Sequence, residues 1–181
     1  ITKRFNDNVF GTLLVQGWDG VSTTIEFNSG DNLGEPMGFG WWIGYGDYVF
    51  AWQFQAKADL TVSELGHYHY VFPAYEMGLW DESGNLLGTC EATHNWFEWN
   101  WCTLPGPVSL SIGEHYRIGI RISEWTTAID TPADTEKVHF EGTYYCYGGG
   151  STCFPDNFWV DFFIPLIDFR WTEVLILPDA Q

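Results

Sequence analysis

Between Tyr48 and Ala56 the chain places Phe50, Trp52 and Phe54 at every second position, with Val49, Ala51, Gln53 and Gln55 between them. Only a β-strand, whose side chains alternate between two faces, gathers those three rings on one side. The same period returns in His115–Ser123, where Tyr116, Ile118, Ile120 and Ile122 alternate with His115, Arg117, Gly119 and Arg121. No segment carries apolar residues at the spacing of an amphipathic helix. Further strands are expected at Thr12–Gln16, Ser22–Phe27, Leu60–Val71, Tyr75–Trp80, Leu86–Thr93, Phe97–Leu104, Val138–Tyr147, Phe158–Ile164 and Glu173–Leu177. Turn signals separate them at Asp81–Asn85, at Leu104-Pro105-Gly106-Pro107 and at Ile112-Gly113-Glu114. Many short strands at regular spacing predict an all-β fold, an antiparallel β-sandwich of jelly-roll-like type with additional terminal strands.

The chain has 181 residues, a length that suits one domain with a core of its own. It carries 24 acidic and 7 basic side chains, a formal charge of −17. Nucleic acid is excluded as a partner on that ground, because phosphate binding needs clustered Lys and Arg. An anionic membrane surface is excluded for the same reason. The 14 Phe, 11 Trp and 9 Tyr set the chain apart from acidic disordered sequences, which are poor in aromatics. No membrane insertion is expected: the richest apolar stretch, Phe158 to Leu177, is interrupted by Asp161, Pro165, Asp168, Arg170 and Glu173. A start at Ile1, with no initiator Met and no signal-like segment, is what a mature exported chain looks like, and equally a trimmed one.

The four cysteines fall into two local pairs. Cys90 and Cys102 sit on the expected strands Leu86–Thr93 and Phe97–Leu104, which a short turn at His94–Trp96 would join, so a cross-strand disulfide fits. Cys146 and Cys153 bracket the glycine-rich Tyr147-Gly148-Gly149-Gly150-Ser151-Thr152, a loop that a disulfide would close with ~2–3 kcal/mol of stabilisation. Four cysteines allow three connectivities, of which 90–102 with 146–153 is preferred. The alternative, a four-thiolate zinc site, lacks the tight spacing of structural zinc knuckles. Disulfides imply an oxidising compartment, hence an extracellular or cell-surface location.

Four landmarks carry a family resemblance: Ala58-Asp59-Leu60-Thr61-Val62-Ser63-Glu64-Leu65-Gly66, Met77-Gly78-Leu79-Trp80-Asp81-Glu82-Ser83-Gly84-Asn85-Leu86-Leu87, Pro107-Val108-Ser109-Leu110-Ser111-Ile112-Gly113-Glu114-His115-Tyr116 and Asn157-Phe158-Trp159-Val160-Asp161. Together they make Phe39 to Ile164 resemble a bacterial β-sandwich domain of unknown function found in exported, often surface-sorted or multidomain proteins. The resemblance implies a secreted jelly-roll-like sandwich with no known catalysis. The four cysteines are not part of its pattern.

This divides the chain into an N-terminal extension, 1–37, a sandwich, 38–164, and a C-terminal strand extension, 165–181. Both extensions carry apolar runs, Val9-Phe10-Gly11-Thr12-Leu13-Leu14-Val15 and Val174-Leu175-Ile176-Leu177, which cannot sit in water without cost. One reading makes them extra strands in the domain's own sheets. The other makes one of them a donor strand for a neighbouring copy, with Val9, Phe10, Leu13, Leu14 and Val15 (residues 8–16) as the assembly strand. The basic Lys3 and Arg4 would then be steered to the acidic body of the next subunit, and head-to-tail repetition gives a helical homo-oligomer, a filament or surface layer.

An enzyme is not expected, because no nucleophile elbow or other catalytic signature occurs. The best metal candidate is His67 with His69 in Gly66-His67-Tyr68-His69, two imidazoles on one strand face, with His94, His115 or His139 as a third ligand that sequence cannot place. Satisfied strand histidines are the commoner outcome, and no metal is expected. Calcium is the one cofactor left open, through Asp81, Glu82 and Asn85, or through Asp19 and Gly20, or Asp31, Asn32 and Glu35, although a plain hairpin explains the first set equally well.

The alternative function is carbohydrate binding. Trp96, Trp99 and Trp101 crowd one segment, and Trp41 and Trp42 form another cluster. Phe97, Trp99 and Trp101 share one face of their strand, while Trp96, Glu98, Asn100 and Cys102 share the other. One of those faces must point outward, so a Trp platform with Glu91, Asn95, Glu98 and Asn100 as hydroxyl ligands would suit a polysaccharide. The competing role for these rings is covering the domain or a subunit interface, where Trp is also enriched.

Overall fold

The computed structural model describes residues 24–29, 42–43, 47–68, 75–92, 99–122, 126–129, 135, 137–149, 152–158, 164–165 and 167–176. Within them the chain is an all-β sandwich of two packed antiparallel sheets. Its strands are β1 (Thr24–Ser29), β2 (Trp42–Ile43), β3 (Tyr48–Ala56), β4 (Leu60–Tyr68), β5 (Tyr75–Asp81), β6 (Leu86–Ala92), β7 (Trp99–Leu110), β8 (His115–Ile122), β9 (Thr126–Ile129), β10 (Val138–Tyr147), β11 (Asn157–Phe158), β12 (Ile164–Pro165) and β13 (Ile167–Ile176). One sheet has the order β1-β13-β4-β7 and the other β11-β10-β3-β8-β5-β6, while β12-β9-β2 form a short third sheet. Among the described residues no helix is long and apolar enough to cross a membrane.

The alternation that opens the sequence builds the core. Phe50, Trp52 and Phe54 of β3 point between the sheets, where Phe169 of β13 stacks on Phe54 at 5.2 Å and on Trp52 at 6.4 Å between ring centroids. Leu60, Val62 and Leu65 of β4 and Met77 and Leu79 of β5 complete the same cluster. At ~1.5–3 kcal/mol for each fully buried large side chain, this interior dominates the stability of the sandwich.

The strands cross from sheet to sheet at defined corners. Between β3 and β4, and again between β7 and β8, the chain turns from one layer to the other, and the two corners bond each other. Gly113 N–H donates to Ala56 O at 2.7 Å and Ala56 N–H to Glu114 O at 3.0 Å. Gly113, at φ 85°, takes a left-handed conformation that few side chains tolerate. Asp59 Oδ1 accepts the Ile112 N–H at 2.9 Å and so ties the second corner to the first.

Three local expectations take a different form. The Pro105-Gly106-Pro107 segment is not a turn but lies inside β7. Val62 pairs with Val108 and Glu64 with Thr103, so Ser63 alone faces residues 104–107, and the two prolines lie in this bulge, where no ladder donor is required. The expected strand Phe158–Ile164 has its two ends in different sheets, Phe158 on β10 and Ile164 on β9. Pro165 next to it cannot donate to a ladder, which suits the edge position of β12. Finally, β6 and β7 are not partners in one sheet. They are edge strands of opposite sheets, so the Cys90–Cys102 disulfide, with 5.7 Å between Cα atoms, joins the two layers. Alternation shows which residues share a face and says nothing of which strand lies alongside.

Cys146 and Cys153 form the second disulfide and fold the segment after β10 onto the outer face of the six-stranded sheet. There Val49, Trp80 and Cys146 make a second buried cluster, with Leu86, Cys153 and Phe154 packed against it. Trp80, 1% exposed, lies over Gly78 and Gly119, whose missing side chains make room for the indole.

The C-terminal run lies in the chain's own sheet. β13 sits between β1 and β4, with Val174 opposite Glu26 and Leu175 opposite Ile25. It is therefore interior and is not offered to a neighbour.

Candidate functional site

The alternation of β7 is resolved by what lies beneath it. Cys102 and Leu104 join the core and Asn100, 3% exposed, points with them, so Trp99 and Trp101 are turned to the outer face of the four-stranded sheet. Their rings stack at 5.6 Å between centroids with 25° between planes, and both remain partly exposed. Trp101 reaches across the neighbouring strand, where Gly66 is its register partner. A Cβ at Gly66 would lie 2.5–2.7 Å from the Trp101 indole, so glycine is what lets the ring lie down on the sheet.

Beyond β4, Arg170 of β13 continues the row. Its guanidinium carbon is 4.1 Å from the Trp101 ring centroid, and its Nη1 donates to Glu64 Oε2 at 2.8 Å. The ion pair is partly solvated and contributes at most ~1 kcal/mol. The stacking of the cation on the indole adds ~0.5–1 kcal/mol at such a site. The result is a row of Trp99, Trp101, Arg170 and Glu64 running across three strands, with apolar ring surface beside fixed donors and acceptors.

This row is not the set expected from sequence. Asn100 is buried on the opposite face of β7, and Glu91 lies on β6, in the other sheet, opposite Glu76. Asn95, Glu98, Trp96 and Trp41 lie outside the described residues, and Trp42 is described only as backbone in β2. The residues that do flank the rings, Glu64 and Arg170, come from distant parts of the chain. For Glu64 the signal was the alternation of Leu60–Tyr68, which puts Glu64 and Gly66 on the face away from Leu65; Arg170 carried none.

The metal candidates separate. His67 is 2% exposed and faces the interior, opposite Asn100 and Ile167. It is thus unavailable to an external ion with His69, which lies outside the described residues, as does His94. His115 and His139 belong to the other sheet, and His115 Nδ1 bonds Glu141 Oε2 at 2.8 Å. Among the described residues no three His, Cys, Asp or Glu side chains gather as metal ligands. In the β5–β6 turn both Asp81 oxygens are occupied, Oδ1 by the Asn85 backbone N–H at 2.8 Å and Oδ2 by Asn85 Nδ2 at 2.7 Å. Those bonds hold the Asp81 carboxyl below its ordinary range against a smaller desolvation effect. Gly84, at φ 86°, completes a hairpin turn, so a calcium site is not needed to explain these residues. Asp19, Gly20, Asp31, Asn32 and Glu35 lie outside the described residues.

The assembly strand Val9, Phe10, Leu13, Leu14 and Val15, with Lys3 and Arg4, also lies outside them. The described sheet does define where a further strand could add. β1 is the outermost strand of its sheet, bonded to β13 on one side along all six residues from Thr24 to Ser29. Among the described residues its other side has no partner, and an edge of that length can take a strand of suitable register. Comparison with protein-family models and with curated proteins finds no match for this chain.

Proposed function

We propose that the chain is a non-catalytic, extracellular structural subunit that assembles with copies of itself. The N-terminal run Val9–Val15 of one copy adds to β1 of the next, and the Trp99–Trp101 face supplies a second contact. The observation that carries this reading is the position of β1 at the outside of the four-stranded sheet while the C-terminal run is used internally. The N-terminal run is accordingly the one we assign to exchange. Two disulfides suit an oxidising extracellular setting. The crossing of the chain between sheets at successive corners supports a jelly-roll-like reading of the sandwich.

The charge of −17 opposes association, so the contacts must rest on backbone pairing and apolar burial, with Lys3 and Arg4 as the local exception. The test is deletion of residues 1–17, followed by negative-stain microscopy and light scattering. Loss of filaments with retention of a folded monomer is expected; filaments of unchanged geometry sink the donor-strand mechanism.

A second reading, polysaccharide binding at the same rings, is favoured by the alignment of Arg170 and Glu64 beside Trp101. A glycan array separates the two readings. Retention that disappears in Trp99→Ala and Trp101→Ala supports the sugar reading, and no retention on any polysaccharide removes it.

A further inference from the structure

The outer face of the six-stranded sheet carries a second constellation, independent of the terminal strands and of the tryptophans. Phe158, on the edge strand β11, is 56% exposed. Its ring meets Tyr144 edge-on at 5.5 Å and lies over Gly142, where a Cβ would come within 2.8 Å of it. Glycine also suits the φ of 156° at this bulge. An aromatic ring is thus laid on the sheet at a place the backbone keeps clear for it, with much of its surface still in water.

Beside that ring runs a bonded polar row. Gly142, Gln53 and Arg117 are register partners on three adjacent strands. Glu141 Oε2 accepts from Gln53 Nε2 and from His115 Nδ1, both at 2.8 Å. Gln53 Oε1 in turn accepts from Arg117 Nε at 2.8 Å. Arg117 is held from further sides: its Nη1 donates to Pro155 O at 2.6 Å, and its guanidinium lies 3.9 Å from the Tyr144 ring centroid and 4.5 Å from that of Phe154. Glu141 and His115 each keep a fifth to a third of their side-chain surface exposed. Among the described residues, Glu141 Oε1 and His115 Nε2 make no hydrogen bond, and both are held in place by partners on their other atoms.

From this geometry we infer that the Phe158–Glu141–His115 face is a binding site for a neutral, hydroxyl-rich saccharide chain. A pyranose ring presents a C–H face that matches the electron-rich face of Phe158. Its hydroxyls can donate to Glu141 Oε1, and they can donate to His115 Nε2 when the ring is neutral or accept from it when the ring is protonated. Other ligand classes fit less well. Among the described residues the cations of this sheet face are already committed, Arg117 to Gln53 and Pro155, Arg121 to Asp47 and Glu76, and His115 to Glu141, so an anionic ligand meets no uncommitted cation. A simple cation gains little, because the exposed carboxylate already has His115 as its partner.

The test flows the full chain over sensor surfaces coated with hydroxyethylcellulose, xylan or laminarin, and over polygalacturonate as the anionic counterpart. Phe158→Ala, Phe158→Trp, Glu141→Gln and the Trp99→Ala/Trp101→Ala pair are compared with the parent, each checked by thermal melt. Binding to at least one neutral polysaccharide is expected, weakened about tenfold or more by Phe158→Ala, weakened by Glu141→Gln, and kept by Phe158→Trp and by the double tryptophan variant. No binding to any neutral surface, equal binding by Phe158→Ala, loss of binding with the tryptophans, or a preference for polygalacturonate would each overturn the assignment. Because the site includes no residue of the N-terminal run, a failure here leaves the assembly reading standing, and the reverse holds too.

Discussion

Replacing Gly119 by alanine should be among the most damaging single-methyl additions in this protein. Gly119 lies on β8 in the middle of the six-stranded sheet, with Ala51 on one neighbouring strand and Gly78 on the other as its register partners. A Cβ there would sit 2.9 Å from the Ala51 Cβ, 2.9 Å from the Phe50 carbonyl oxygen and 3.1 Å from Trp80 Cζ3. Two of those three neighbours cannot swing aside: one is backbone in a central ladder and the other a methyl fixed to it. The third belongs to an indole buried under Phe154 and the Cys146–Cys153 loop. Overpacking of this kind typically costs ~1–3 kcal/mol, and the immobile neighbours place Gly119→Ala in the upper half of that range, about 2–3 kcal/mol. For a chain of this size that lowers the melting temperature by about 4–12 °C. Gly106 is the matched control, since a Cβ there meets nothing within 4 Å; Gly106→Ala should be neutral or should stabilise by up to ~1 kcal/mol. Urea unfolding followed by circular dichroism and tryptophan fluorescence, with both disulfides intact, measures the pair. A Gly119→Ala loss below ~0.5 kcal/mol would refute the packing argument.

Further outcomes follow from other features. Removing the inter-sheet bridge with Cys90→Ala/Cys102→Ala should cost about 3 kcal/mol by loop-closure entropy for a separation of 12 residues, read as a shifted urea midpoint; an unchanged midpoint contradicts it. The hydrogen bond that His115 donates to Glu141, followed by the fields of Glu141, Glu82 and Glu114, raises the His115 pKa above its ordinary 6.5 against a desolvation effect. The folded value exceeds the unfolded one, so this contribution is complete below about 6.5 and is lost as pH rises through the folded pKa. Urea midpoints across pH 5–9 should show that step, and Glu141→Gln should flatten it. Asp81 behaves in the opposite sense: its pKa lies below the ordinary 3.8, so its contribution holds above that value and disappears as pH falls, a dependence that Asn85→Ala should reduce in acid titrations.

The sequence made the strands legible where period-two alternation is dense. β3 and β10 have the bounds the pattern predicts, and the hairpin at Asp81–Asn85 follows from its turn residues. What the pattern could not supply was long-range placement. It grouped Trp99 with Trp101, but only the burial of Cys102 and Leu104 shows that this group faces outward. It set Cys90 near Cys102 along the chain, yet their strands belong to different layers. Pro-Gly-Pro is a strong local breaker, and here the three-residue offset it creates is absorbed as a bulge because β4 continues alongside. The Arg170–Trp101 contact and the Phe158–Glu141–His115 face join residues whose sequence separation leaves no periodic trace. Phe158 alone, in an apolar stretch, opens the expected strand Phe158–Ile164, with nothing in the pattern to mark it as a ring at a sheet edge.

The interior seat of β13 has a consequence for how a copy comes into being. Thr24 pairs with Ile176, and Ile167 with His67, so the four-stranded sheet is joined by contacts between regions far apart along the chain. Such non-local closure is slow, and it cannot be completed until the chain through Ile176 has been made. A copy that stops short of Ile167 has no strand to place between β1 and β4, and it leaves Trp52 and Phe54 without Phe169. A chain without β13 therefore cannot shut its own interior, and it leaves in water the rings that β13 covers.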